Sequence, residues 1–241
     1  MKRLAALAAV ALLTACAQPS TPSPTATPPA RPVVFAAASL STVFPTIAPA
    51  QYSFDGSSGL VDQLKGGARA DVFASADKKN MDKAVEAGLI DGTPTMFATN
   101  ALVLITPADN PAHVTGFDAS LTGTKLVVCA AEVPCGAAAT KAAQANGLSL
   151  RPVSEETKVT DVLGKVSSGE ADAGLVYATD AATAGAKVTV FEIASAKTDP
   201  NTYWIGVVAG APNKAGAASF IATVMGEGQA TLKAAGFGPP K

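Results

Sequence analysis

Histidine is almost missing from this 241-residue chain, which has only His113. Hydrolysis through an activated serine needs a base beside the nucleophile. His113 lies in a polar, proline-flanked loop where a histidine is ordinarily just solvated, and no G-x-S-x-G elbow occurs. A surface serine hydrolase built on Ser39 or Ser57 therefore ranks well behind a binding role, and no enzyme activity is expected. Cysteine is nearly as scarce, at three residues. Cys129 and Cys135 stand six apart with no histidine nearby, a poor zinc site, so no bare metal ion is expected. Basic stripes and aromatic-studded basic patches are also lacking, which argues against nucleic acid as a partner. The N-terminal apolar stretch is too short to span a bilayer as a permanent helix, and no internal repeat is found.

What is present begins with MKRLAALAAVALLTAC, a basic start and an apolar stretch ending in Leu13-Thr14-Ala15-Cys16. That ending resembles the lipobox of a bacterial lipoprotein signal. It implies a signal over 1–15 and a mature chain beginning at a lipid-bearing Cys16, anchored on the extracytoplasmic face of the cell membrane. An ordinary secretory signal that ends near a cysteine is the alternative. Residues 17–32 hold six of the seventeen prolines and no large apolar side chain. They cannot pack a core, so 16–32 reads as an extended tether reaching roughly 50 Å at about 3.1 Å per residue. Removing Lys2 and Arg3 with the signal moves the formal net charge from −1 to −3. In an exported protein the remaining even pair, Cys129 and Cys135, is expected as a disulfide.

The body from Val33 alternates strand and helix signals. Val33 to Ala36 reads as a buried strand, followed by a short helix carrying Leu40, Val43, Phe44 and Ile47, limited by Pro45 and Pro49. Tyr52 to Phe54 is a second strand, followed by a short helix with Leu60, Val61 and Leu64; 71–76 is a third strand, and Asp77 suits the N-cap of a helix with Met81, Ala84, Val85 and Leu89. Such a βαβαβα order implies a parallel sheet covered by helices. A second set follows Asn100: strands at 100–107, 125–129, 173–178 and 187–193, with helices at about 136–146 and 160–167. A last strand, YWIGVVAG, leads into C-terminal helices. The expectation is an α/β fold of two lobes, 33–99 with 203–241 and 100–202, hinged near Asn100 and Tyr203.

Two hydrophobic strands run straight into serine and small residues at helix starts without lysine or arginine: VVFAAASLS, with Ser39, and YSFDGSSGL, with Ser57 and Ser58. A helix start has unpaired N–H groups and partial positive charge, so a hydroxyl beside it makes an uncharged anion cradle. Taken singly, each serine is first of all a cap. Cys135 beside Pro134 opens another helix, Val162 follows Lys158-Val159-Thr160-Asp161, and Tyr177 ends a strand. Alone, Val162 reads as core, Tyr177 as a buried ring and Cys135 as part of a closed loop. Together they gather at strand ends of an open α/β architecture, where such folds hold ligands.

The segments FAAASL, FDGSSGLVDQL, ADVFASAD, NALVLI, VPCG and GLVYATDA, in that order, resemble the periplasmic molybdate-binding proteins of ABC importers from about Val33 to Phe237. The resemblance implies a two-lobed type II solute receptor, expected as a monomer, that hands molybdate or tungstate to a transmembrane permease and uses no cofactor. It implies ligand contacts from Ser39 and Ser57, from the backbone N–H groups of Cys135 and Val162, and from the Tyr177 hydroxyl. The stretch between Ser39 and Phe54 is shorter than in many relatives, position 135 is cysteine where some have alanine, and Trp204 is assigned no ligand role. Molybdate carries two charges and no proton, so it only accepts hydrogen bonds, whereas hydrogen phosphate needs an acceptor. Sulfate or another tetrahedral oxyanion is the alternative ligand, and an inward turn of Asp55 or Asp161 would count against both dianions.

Overall fold

The computed structural model describes residues 31–240. The expected signal 1–15, the lipid-bearing Cys16 and most of the tether lie outside the described residues. In chain order the first strands and helices are β1 (Val33–Ala37), α1 (Phe44–Ile47), β2 (Gln51–Asp55), α2 (Ser57–Lys65), β3 (Val72–Ser75), α3 (Lys78–Glu86) and β4 (Ile90–Asn100). A middle group comprises β5 (Leu102–Pro107), β6 (Leu126–Cys129), α4 (Pro134–Ala145), β7 (Ser154–Glu156), α5 (Val159–Ser167), β8 (Ala173–Tyr177), α6 (Ala178–Ala184), β9 (Val188–Glu192) and α7 (Ala194–Thr198). The chain closes with β10 (Asn201–Val208), α8 (Lys214–Met225) and α9 (Gly228–Ala234).

These strands form two five-stranded sheets, β2-β1-β3-β10-β4 and β7-β6-β8-β5-β9. The fold is α/β with two lobes, one built on each sheet. β1, β2 and β3 run parallel, as their helical crossovers require, and β10 inserts antiparallel between β3 and β4. The second sheet is likewise mixed, with β6 parallel to β7 and β8, and β5 antiparallel to β8 and β9. The chain crosses between sheets twice: at residue 101, and on the way back from β9 through α7 into β10.

Period-two alternation sorts the first sheet's side chains. Phe35 and Phe73 pack with Leu60, Val61, Leu64 and Met81 from α2 and α3. Their neighbours Val34, Ala36, Val72 and Ala74 belong to a larger core with Phe44, Phe220 and Val224, which continues into the second lobe through Leu104, Val127 and Leu175. Asp77 caps α3 by accepting the Asn80 N–H at 2.8 Å.

One local expectation changes, and one strand is added. The helix expected from Leu40 to Ile47 is split into a 3-10 turn over Ala38–Leu40 and the single turn α1. Pro45 has no N–H to bond the carbonyl four residues back, so a helix can only restart with this proline in its first turn. The eleven-residue β4, a stretch for which no element is expected, contains Gly92 and Pro94. It is a strand because it lies at the sheet edge, where β10 is its one partner strand and a missing donor at Pro94 is tolerated.

Candidate anion-binding site

The carboxyl ends of β1, β3 and β8 meet between the lobes, and the turns that follow them enclose a small cavity, about 10 Å³ of space for a water's centre. Ser39 enters from the 3-10 turn after β1, Ser57 from the first residue of α2, Cys135 from the second residue of α4, and Tyr177 from the end of β8. Four of the five residues anticipated from sequence thus line one space. Val162, anticipated for its backbone N–H, is not among the lining residues: it is fully buried, and a methyl built on Gly174 would sit 2.8 Å from its Cγ1, so its side chain belongs to the core under β8. Val159, the first residue of α5, also lines the cavity.

The hydroxyl groups are directed by what they receive. Ser57 Oγ accepts the Ala76 N–H at 3.1 Å, and Tyr177 Oη accepts from Asn201 Nδ2 at 2.7 Å. Ser39 Oγ lies 2.9 Å from Tyr203 Oη, which in turn is 3.5 Å from Asn100 Nδ2. Either oxygen of the Ser39–Tyr203 pair can be the donor. An oxygen already receiving a hydrogen bond has its own proton free for a further acceptor. Ser57 and Tyr177 therefore each keep a proton for the cavity. The helix starts add N–H groups: Pro134 has none, and the Cys135 N–H, at the second position of α4, lacks an intrahelical partner.

No acidic, basic or histidine side chain is among the lining residues. Asp55 turns aside to accept the Gly56 N–H at 2.8 Å and Gln63 Nε2 at 3.0 Å, and Asp161 is a partly exposed neighbour of Lys158 at 3.9 Å. Burial pushes the Tyr177 phenol far above its ordinary value, with Tyr203, Asp77 and Asp180 adding to the rise. Burial likewise raises Tyr203, so both phenols remain proton donors at any physiological pH. His113 is exposed in the loop after β5, with its N–H bonded to the Asn110 carbonyl at 3.0 Å, and takes no part in the cavity. Cys129 and Cys135 are joined by a disulfide, which anchors the start of α4 to the end of β6.

A neutral, donor-only pocket between two lobes is a receptor's feature, and the sequence matches the profile of bacterial extracellular solute-binding proteins over residues 33–238. The chain belongs to that family. This solute-binding protein is 44% identical over 220 residues to the molybdate-binding protein ModA of Mycobacterium tuberculosis, spanning 86% of this chain and 84% of the relative. It is 37% identical over 177 residues to ModA of Escherichia coli, spanning 64% and 68%. Among solved structures it resembles the periplasmic molybdate-binding protein of Azotobacter vinelandii, with a TM-score of 0.77 at 23% identity over 88% of this chain and all of that one. The sulfate-binding protein SubI of Mycobacterium tuberculosis shares the fold at a TM-score of 0.66 and 18% identity, over 87% of each chain.

Sequence reasoning missed the second layer of this solute-binding protein's site. Asn201 goes unremarked, Asn100 and Tyr203 figure only as hinge markers, and Ala76 only as the end of a strand. Their roles depend on β10 lying beside β3, a pairing between residues more than a hundred apart that no local pattern announces. The one available signal was the presence of buried-type amide and phenol groups where the chain crosses between lobes.

Proposed function

We propose that this protein captures molybdate, and tungstate with it, outside the cytoplasm and passes it to the transmembrane permease of an ABC importer. It works as a lipid-anchored monomer tethered through Cys16, and as a receptor rather than an enzyme. The observation that carries this reading is the pair of hydroxyls, Ser57 and Tyr177, that receive a hydrogen bond from the protein and keep a proton for the ion, beside Ser39 in the same cavity, in a chain 44% identical to a molybdate-binding protein. The ligand shell comprises Ser39, Ser57 and Tyr177 through their hydroxyls, and Cys135 and Val162 through backbone N–H groups. The lobes are 33–99 with 203–241 and 100–202, and they close on the ion.

Hydrogen bonds to a charged acceptor contribute roughly 1.5 to 3 kcal/mol each. Several together reach the roughly −12 kcal/mol of a nanomolar complex after desolvation and closure costs. A proton-bearing anion finds no acceptor side chain in the lining, which disfavours hydrogen phosphate. Sulfate, another unprotonated dianion, is separated by size rather than by hydrogen-bond type. Calorimetric titration with molybdate, tungstate and sulfate in turn tests the assignment. Tight binding of the first two is expected; no heat with micromolar molybdate removes the proposal, and tighter sulfate binding transfers it to that ion.

A further inference from the structure

We propose that Asn201 is the positioning residue of the anion site, holding the Tyr177 hydroxyl as a donor to the bound ion. The proposal rests on the receptor reading above and deepens it. Asn201 opens β10, where the chain returns to the first lobe. Its amide nitrogen has two hydrogens: one reaches Tyr177 Oη at 2.7 Å and the other the Ala76 carbonyl at 3.2 Å. The same Ala76 sends its N–H to Ser57 Oγ at 3.1 Å. One carboxamide therefore ties the tyrosine of the second lobe to the residue that orients the serine of the first.

The direction of this bond is fixed by chemistry. The Ala76 carbonyl can only accept, so the group facing it must be the NH₂ end of Asn201, and the second hydrogen on that nitrogen fills the Tyr177 lone pair. With its oxygen so occupied, the phenol has only its proton to offer the cavity. An acceptor at position 201 would reverse the arrangement. Tyr177 would turn its proton away from the ion and show it a lone pair, which repels molybdate and suits the proton of hydrogen phosphate. Asn201 thus acts through Tyr177 on which class of anion is retained, without touching the ion.

A double-mutant cycle read by calorimetry tests this. Molybdate affinity is measured for the natural chain, Asn201→Ala, Tyr177→Phe and the double variant. The expected result is a loss of about tenfold for Asn201→Ala in the natural chain and less than about twofold in the Tyr177→Phe background, since the only route for the effect has gone. Equal losses in both backgrounds, or none in either, overturn the proposal. Asn201→Asp supplies a second readout, the ratio of molybdate to hydrogen phosphate affinity in mildly alkaline buffer, which cancels any uniform weakening from a loosened fold. That ratio should fall at least about tenfold; an unchanged ratio overturns the proposal. A natural chain that takes up no molybdate overturns the receptor reading as well, whereas a natural chain that binds with additive variants overturns this inference alone.

Discussion

Gly56 packs its α-carbon against Thr157 across the cleft, so closely that a methyl group built there would lie 2.1 Å from the Thr157 carbonyl oxygen. Gly56 belongs to the first lobe, just before α2, and Thr157 to the second, just after β7. The backbone at Gly56, with φ −59° and ψ 139°, suits any residue. Glycine is needed here for the approach of the lobes and not for the turn.

The Gly56→Ala variant should therefore fold normally and close badly. A backbone oxygen cannot rotate out of the way, and overpacking of this sort costs about 1 to 3 kcal/mol. Molybdate affinity is expected to fall about tenfold to hundredfold, while the melting temperature without ligand changes little. Calorimetry paired with thermal unfolding checks this, and small-angle scattering with ligand present should report a more open particle than the natural chain.

Ser39→Ala and Ser57→Ala should each weaken binding by at least about tenfold, since each removes a hydrogen bond to a charged acceptor. The two differ in what they leave behind. Losing Ser57 Oγ strands the buried Ala76 N–H, so that variant should also lose stability; losing Ser39 Oγ leaves Tyr203 Oη its contact with Asn100 Nδ2 at 3.5 Å. Asp118→Ala is the control: its carboxylate accepts the Ser120 N–H at 2.8 Å on an exposed turn remote from the cavity lining, and titration should show unchanged affinity.

Legibility of the chain followed the range of the interactions. Strands such as 125–129 and 173–178 were readable because burial on both faces leaves a continuous apolar run, and Asp77 because capping is decided within four residues. The serines and Tyr177 stood out because each follows a strand end. β4 was unreadable because its partner β10 begins about a hundred residues on and tolerates Pro94. At α5 the helix start was located, but the lining side chain was not: Val159 faces the cavity, and the side chain of Val162, one turn further, faces the core, a difference set by how the helix seats on β8.

Asp180 should make stability depend on pH in the direction opposite to most carboxylates. It is buried at the start of α6, its carboxylate accepts the Tyr177 N–H at 3.2 Å, and burial lifts it to about 7. Unfolded, it returns to the ordinary value near 3.8. Between those values the folded chain holds a proton that the unfolded chain has released, so stability falls as pH rises through this window and levels off above it. The steepest slope from one such group is about 1.4 kcal/mol per pH unit. Asp180→Asn keeps an acceptor for Tyr177 and removes the titration. Denaturant melts of both chains from mildly acidic to neutral pH should diverge steadily, with the variant the more stable at neutrality; parallel curves would falsify the assignment.

The Cys129–Cys135 bridge should matter more for stability than for ligand affinity. It closes a short loop of sequence separation six, for which chain entropy gives about 2 kcal/mol. The loop is also held by its backbone: Val133 N–H bonds the Ala130 carbonyl at 3.0 Å, and Ala130 N–H bonds the Glu156 carbonyl at 2.9 Å. Gly136 fits only because it lacks a side chain, since a methyl there would lie 1.9 Å from the Ala130 oxygen. Backbone contacts this close keep the Cys135 N–H aimed at the cavity after the sulfur link is gone. Replacing both cysteines with serine is therefore expected to lower the melting temperature by about 4 to 8 °C for a body of this size, while molybdate affinity falls less than about tenfold. A reductant should reproduce the thermal shift in the natural chain and leave the double variant unmoved. If affinity collapsed in the double variant while its ligand-free melting temperature held, the bridge would be setting the donor's aim directly, and the backbone bonds around Ala130 would be insufficient to position Cys135.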